Sequence, residues 1–213
     1  MYSFIAITVS SSSMDCGGYV VKLGGSLIDV LDDLIPVLQK SMKNILIVPG
    51  GGSGAEAIRR QNPPPDTAHW MAILAMEHFG HQIASTGLSP VSRLFLVKKP
   101  SVLLPYCLLR KEDPFPHSWD ITSDSIAAWV AWSLDLPLIV LKSVDGIISG
   151  GRVLDSIHHF VPTDTVDPAF LPFILEKKVP AIVINGRRND SVNKALLGDW
   201  SIGTRIMGRT EEL

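Results

Sequence analysis

Lys22 stands two residues ahead of Gly24-Gly25 in the run Tyr19-Val20-Val21-Lys22-Leu23-Gly24-Gly25-Ser26. Those residue types in that order suit a phosphate. Glycines let backbone N–H groups come close to an anion, a helix opening at the same place adds its positive end, and an ammonium supplies a full charge. The spacing is not the Gly-x-x-x-x-Gly-Lys-Ser/Thr of the common nucleotide loop. Taken alone, a Gly-Gly pair after a strand is more often a plain turn. The same grammar recurs at Ile45-Leu46-Ile47-Val48-Pro49-Gly50-Gly51-Gly52-Ser53-Gly54. Two such loops imply two anionic or polar ligands, most economically a donor nucleotide in one half of a crevice and an acceptor in the other. In an open parallel sheet such a crevice lies beyond the carboxyl ends of the strands.

The elements that must position these loops follow from the apolar pattern. Strand-like runs at 19–23, 45–48, 93–97, 102–108, 138–142 and 181–184 alternate with helix-length segments near 28–42, 54–61, 66–85, 121–134, 167–177 and 189–197. That alternation predicts an α/β fold with a mostly parallel sheet covered on both faces. Asn62-Pro63-Pro64-Pro65-Asp66 separates two helices, and Gly146 to Leu154, centred on Gly150-Gly151, reads as a hairpin projecting from the sheet.

Composition narrows the function classes. The 213 residues suffice for one α/β domain without disulfide or metal staples, and residues 19–213 are expected to form it, with 1–18 as an extension. Nineteen basic against 21 acidic residues give a net charge of -2 with no basic run, which argues against a nucleic-acid partner. Cys16 and Cys107 lack CxxC spacing or a nearby histidine pattern, so zinc is not expected and a reducing, cytoplasmic compartment is. The short apolar stretch Phe4 to Val9 has no basic flank, and no segment reads as a signal peptide or membrane span.

Five motifs in order resemble the amino acid kinase family: Val21-Lys22-Leu23-Gly24-Gly25-Ser26, Pro49-Gly50-Gly51-Gly52, Thr122-Ser123-Asp124-Ser125-Ile126-Ala127-Ala128, Val144-Asp145-Gly146-Ile147 and Gly203-Thr204-Arg205-Ile206. The resemblance spans nearly all of residues 19–206. It implies a three-layer αβα sandwich with an open, mostly parallel sheet, ATP as donor with Mg²⁺ as its complex, a small-molecule acceptor and a homo-oligomer. Ala68 to Met76 and Ser118 to Asp124 resemble the archaeal and methylotroph [5-(aminomethyl)furan-3-yl]methyl phosphate kinase branch. That branch implies transfer to the primary alcohol of an aminomethyl furan in methanofuran-type biosynthesis. Uridylate kinase and acetylglutamate-type kinase are the alternative enzymes. A non-catalytic oxyanion or small-ligand binding protein is the alternative of another class, since fold alone does not fix function.

The resemblance also implies roles. Lys22 contacts the transferring phosphoryl group, Gly24 and Gly25 donate N–H groups beside Ser26, and Asp124 organises the catalytic lysines; Ser123-Asp124 also suits a plain helix cap. Asp145-Gly146 matches the nucleotide loop, although the dipeptide by itself is a turn signal. Gly50, Gly51 and Gly52 border the acceptor. His69, Trp119 and Asp120 are expected to hold the acceptor's ring and ammonium, their other reading being core aromatics and a loop residue. Lys142 replaces the polar residue many relatives carry before Val-Asp-Gly, and it contacts the nucleotide. The second lysine of acetylglutamate kinases has no counterpart between Val161 and Pro180, which leaves Lys142, Arg187 or Lys194 to assist, or Lys22 largely alone. No protein metal ligand is expected.

Overall fold

The computed structural model describes residues 17–206. Of the extension expected over 1–18, only Gly17 and Gly18 fall within that range, and Gly18 already belongs to the first strand; Cys16 lies outside the described residues. Eight strands form one sheet: β1 (Gly18–Leu23), β2 (Asn44–Pro49), β3 (Ser89–Val91), β4 (Ser101–Leu103), β5 (Leu138–Lys142), β8 (Ser156–Ile157), β9 (Ala181–Asn185) and β10 (Thr204–Ile206). Their order is β3-β4-β2-β1-β5-β9-β10-β8, and every pairing is parallel except β10 against β9. The hairpin expected from Gly150-Gly151 is present as β6 (Ile148–Ser149) and β7 (Arg152–Val153), with both glycines at positive φ in its turn. A short 3-10 helix (Gly25–Val30) leads into α1 (Leu31–Lys40). The other helices are α2 (Gly52–Gln61), α3 (Pro65–Ala84), α4 (Tyr106–Glu112), α5 (Ser123–Leu134), α6 (Phe170–Lys177) and α7 (Asn189–Leu196). No helix among the described residues is long and apolar enough to cross a membrane.

The central strands read as unbroken apolar runs because both of their faces are covered. Alternation along each strand divides the core in two. Val20, Leu138 and Val140 pack with Ala127, Ala128 and Ala131 of α5 and with Phe170 and Ile174 of α6. Tyr19, Val21, Leu23, Ile139 and Leu141 pack with Leu34 and Leu38 of α1 and with Val192 and Leu196 of α7. Lys22 and Lys142 sit two residues beyond Val20 and Val140, so strand periodicity turns both toward the α5 side. β1 lies centrally, the chain builds β2, β4 and β3 on one flank, and it then crosses to β5 on the other. The carboxyl ends of β1 and β5 therefore flank the point where strand order reverses.

Two strand expectations do not hold. Residues 93–97 form no strand; Phe95 and Leu96 are exposed, and the edge position is taken by Ser89–Val91 just upstream. The run 102–108 divides into β4 and the start of α4 because Pro105 cannot donate to a ladder. The Tyr106 N–H, at the first position of α4, instead donates to Glu77 Oε2 at 2.8 Å. A short apolar run does not by itself distinguish strand from buried helix.

Candidate active site

At the carboxyl ends of β1 and β5, one carboxylate joins two ammonium groups. Lys22 Nζ lies 2.9 Å from Asp124 Oδ1, and Lys142 Nζ donates to Asp124 Oδ2 at 2.6 Å. Lys22 and Asp124 are 4% and 3% exposed, which makes this a desolvated charge cluster and not a surface pair. The Lys22 contact is an ion pair off the hydrogen-bond direction, and Oδ1 accepts no hydrogen bond among the described residues. Burial raises the Asp124 pKa, but the charges of Lys22 and Lys142, with the Lys142 hydrogen bond, outweigh it and hold the carboxyl below its ordinary value. Burial and the neighbouring Lys22 draw Lys142 below its ordinary value, with Asp124 and Asp167 opposing. Asp124 is not the helix cap: Thr122 occupies that position, and Asp124 follows in the first turn of α5.

The two glycine loops meet beside this cluster. A Cβ on Gly25 would lie 2.2 Å from Gly52 Cα, and one on Gly50 would lie 2.9 Å from Gly25 N, so the loops close on each other only as glycines. The Gly24 N–H does not face a ligand as expected. It donates to Leu141 O at 3.3 Å, and that of Gly50 to Leu23 O at 2.8 Å, because both groups continue the sheet pairing. Gly25 opens the 3-10 helix and Gly52 opens α2, where first-turn N–H groups have no intrahelical acceptor.

A cavity of about 990 Å³ runs from this cluster between α2, α3 and the loop before α5. Lys22, Asp124, Lys142, Gly25, Ser26 and Gly50 to Gly52 form one end. His69, His117, Trp119, Ile73 and Met76 line other parts of its wall, with Glu56 and Arg59. Among the residues expected at the acceptor, Asp120 is the exception. It is exposed and outside the lining, its N–H is held by Ser118 Oγ, and its carbonyl accepts from Ala169 N. The geometry of that loop, tied at both backbone groups, explains the difference. One face of the Trp119 ring is covered by the Arg59 guanidinium, 4.6 Å from its centroid. Trp70 is partly buried against the core and stacks under Arg110.

Within that wall, His117 bonds Asp66 through Nδ1 at 2.7 Å and Asp113 through Nε2 at 3.1 Å, and His69 stacks on it at 3.9 Å. Burial and the His117 charge lower the His69 pKa, while the Asp66 hydrogen bond raises that of His117. His69, Asp113 and His117 are close enough together to suggest a metal. The rings are parallel within 15°, however, so an ion bonded to both at about 2.0–2.1 Å would leave at least one ring plane.

On the other side of the lysines the motif residues bind one another. Asp145 accepts from Asn185 Nδ2 at 2.9 Å and pairs with Arg188 at 3.3 Å. A Cβ on Gly146 would lie 2.4 Å from Thr204 Oγ1, and that hydroxyl accepts from Ile147 N at 2.7 Å. The Val-Asp-Gly and Gly-Thr motifs are thus two sides of one contact. Neither Asp145 nor Gly146 lines the cavity. Arg187 is occupied structurally, forked on Asp29 at 2.8 and 2.9 Å and bonded to Ser26 O at 2.8 Å; Lys194 is exposed on α7. Of the three candidates for an assisting cation, Lys142 reaches Asp124.

Sequence reasoning missed Asp167. Its carboxylate, 8% exposed, accepts from the Thr122 and Ser125 N–H groups and hydroxyls. Val166-Asp167-Pro168 carries only a local helix-start signal, which points forward to α6 and not back to α5.

No family model matches the chain. It is 33% identical over 211 residues to the [5-(aminomethyl)furan-3-yl]methyl phosphate kinase of Methanocaldococcus jannaschii, covering 89% of this chain and 98% of that protein. Among solved structures, the uridylate kinase of Archaeoglobus fulgidus matches with a TM-score of 0.63 at 19% identity, over 89% of this chain and 99% of that one. The UMP kinase of Ureaplasma parvum gives 0.67 at 16%, over 90% and 100%. An isopentenyl phosphate kinase gives 0.59 at 18%, over 88% and 99%. At these identities the structural matches show the shared α/β fold.

Proposed function

The chain belongs to the amino acid kinase family, and on that premise we propose that this ATP-using kinase acts on [5-(aminomethyl)furan-3-yl]methyl phosphate, a step of methanofuran-type biosynthesis. The expectation of an aminomethyl-furan acceptor stands. The attacking atom changes from an alcohol oxygen to a phosphate oxygen, because the relative's name gives a phosphate ester as the acceptor. That oxygen attacks the γ-phosphorus of ATP, the bond to the β–γ bridging oxygen breaks, and the products are ADP and a diphosphate.

Bringing two phosphates together requires positive charge at the point of contact. The observation that carries the reading is the buried Lys22–Asp124–Lys142 cluster at the cavity's glycine end. Asp124 fixes two ammonium groups and cancels one charge, which leaves the pair a net positive charge toward the phosphates. Lys22, off the hydrogen-bond direction to Asp124, keeps its protons for phosphoryl oxygens. Gly25 and Gly52 supply close backbone approach. The one carboxylate at this centre is already shared by two lysines, so the donor set fits Mg²⁺ carried by nucleotide phosphates and water, where it would neutralise phosphate charge. The acceptor ring then lies among His69, Ile73, Met76 and Trp119. Glu56, on the cavity wall without an ion pair among the described residues, takes the ammonium role expected of Asp120.

The test is ADP release with ATP and Mg²⁺ against four acceptors: the furan methyl phosphate, the corresponding alcohol, UMP and isopentenyl phosphate. The furan phosphate should turn over and the alcohol should not. Preference for UMP or for the alcohol would overturn the acceptor assignment.

A further inference from the structure

We propose that Asp167 is the positioning residue of the catalytic centre, holding the first turn of α5 so that Asp124 stays between the two lysines. The inference rests on the phosphoryl-transfer reading above and adds a residue that touches neither substrate. The first turn of α5 carries Asp124 and has no side-chain cap of its own, although Thr122 at the cap position is a residue suited to one. Its hydroxyl donates instead to Asp167 Oδ2 at 2.8 Å, together with its own N–H at 2.8 Å and the N–H of Ser125 at 3.0 Å. Ser125 Oγ donates to Oδ1 at 2.5 Å. One carboxylate 42 to 45 residues downstream thus takes the donors on both sides of Ser123-Asp124.

This division of labour explains why Asp124 is free for the lysines. An aspartate in a first helical turn commonly serves the helix itself; here a second aspartate serves the helix and the first is turned to the cavity. Asp167 is anchored in its turn. Its carbonyl accepts from Phe170 N at 3.1 Å, Ala169 N donates to Asp120 O at 3.0 Å, and Phe170 is buried between α6 and α5. The groups that bear on the Lys142 charge are Lys22, which opposes it, and Asp124 and Asp167, which favour it.

Asp167→Ala and Asp167→Asn test this with two readouts. Asn keeps an acceptor for the Thr122 and Ser125 donors and removes the charge; Ala removes both. Asp167→Ala should lower kcat about 10- to 100-fold, within the range for disturbing a positioned transition-state contact, with KM for ATP little changed. Asp167→Asn should lower it less. In both variants the pH midpoint of Lys142 acylation, read by peptide mass spectrometry, should move down from wild type, because a charge that keeps the ammonium protonated is gone. The acylation readout needs no turnover. A wild type inert toward all four acceptors, with the midpoint still shifted in the variants, would sink the kinase reading and leave the positioning role intact. A turning-over wild type with an unshifted midpoint and unchanged kcat in Asp167→Asn would overturn the positioning role even if Asp167→Ala fails to fold. A fall in Tm alone in the folded variants would do the same.

Discussion

The acceptor half of the crevice and the half proposed for the nucleotide differ in what their loop residues touch. Gly25 packs tightly against Gly50 and Gly52, all three line the walled cavity, and the lysine–aspartate cluster closes its inner end. Across β5, Asp145 is spent on Asn185 and Arg188, and Gly146 is pressed onto Thr204. Motif residues of one half line the cavity, and those of the other bind one another. Substitutions should carry different signatures accordingly: a chemical step lost on the acceptor side, and loop stability or nucleotide KM altered on the other.

Lys22→Ala should show the contrast most strongly. Losing one transition-state charge donor is expected to cut kcat about 100- to 1,000-fold, roughly 2.7–4 kcal/mol, while a thermal melt still shows a folded protein. Full activity in the folded variant would erase the special status of the acceptor half. Gly146→Ala should come next and read out differently. The new Cβ must displace Thr204, so a stability loss of about 1–3 kcal/mol is expected by denaturant titration, together with a raised KM for ATP. An unchanged stability would mean that the Gly146–Thr204 contact is not holding the loop.

How much of this was legible in the sequence follows the same divide. Lys22, Asp124 and the glycine loops could be placed because strand periodicity and the ordered motifs fix them locally. Lys142 was placed next to Val-Asp-Gly, yet its reach to Asp124 depends on β1 and β5 being neighbours, which pairing decides and spacing does not. Asp167 acts across more than forty residues and leaves only a local Asp-Pro signal. Asp120 misled for the opposite reason: proximity to Trp119 in sequence does not fix which way a loop side chain points. The 93–97 and 102–108 runs were apolar enough for strands, but an edge already taken and a proline decided otherwise.

Smaller effects sharpen the comparison at its rims. Asp145→Asn removes an exposed ion pair, and such pairs contribute about 0–1 kcal/mol, so stability should barely move while KM for ATP reports any loosening of the loop. A large fall in kcat would instead make Asp145 part of the chemistry. On the acceptor side the raised His117 pKa sets a sign. A group whose folded pKa lies above its unfolded value of about 6.5 gives its full stabilisation below that pH and loses it as pH rises through the folded value. Wild type should therefore exceed His117→Gln in unfolding free energy at pH 6 by a small margin, about 1 kcal/mol or less after solvent screening, and the margin should shrink at alkaline pH. A margin that grew with pH would contradict the Asp66–His117 ion pair.

The central claim is that Asp124 works for the lysines and not for its helix, and rapid-quench single-turnover transfer in Asp124→Asn tests it most directly. Asn keeps the size of the side chain and an oxygen for Lys142 while removing the charge that holds both ammonium groups. The transfer rate constant should fall about 100-fold with KM for ATP little changed, as for an interaction made in the transition state. A folded Asp124→Asn protein that transfers the phosphoryl group at nearly the wild-type rate would contradict it.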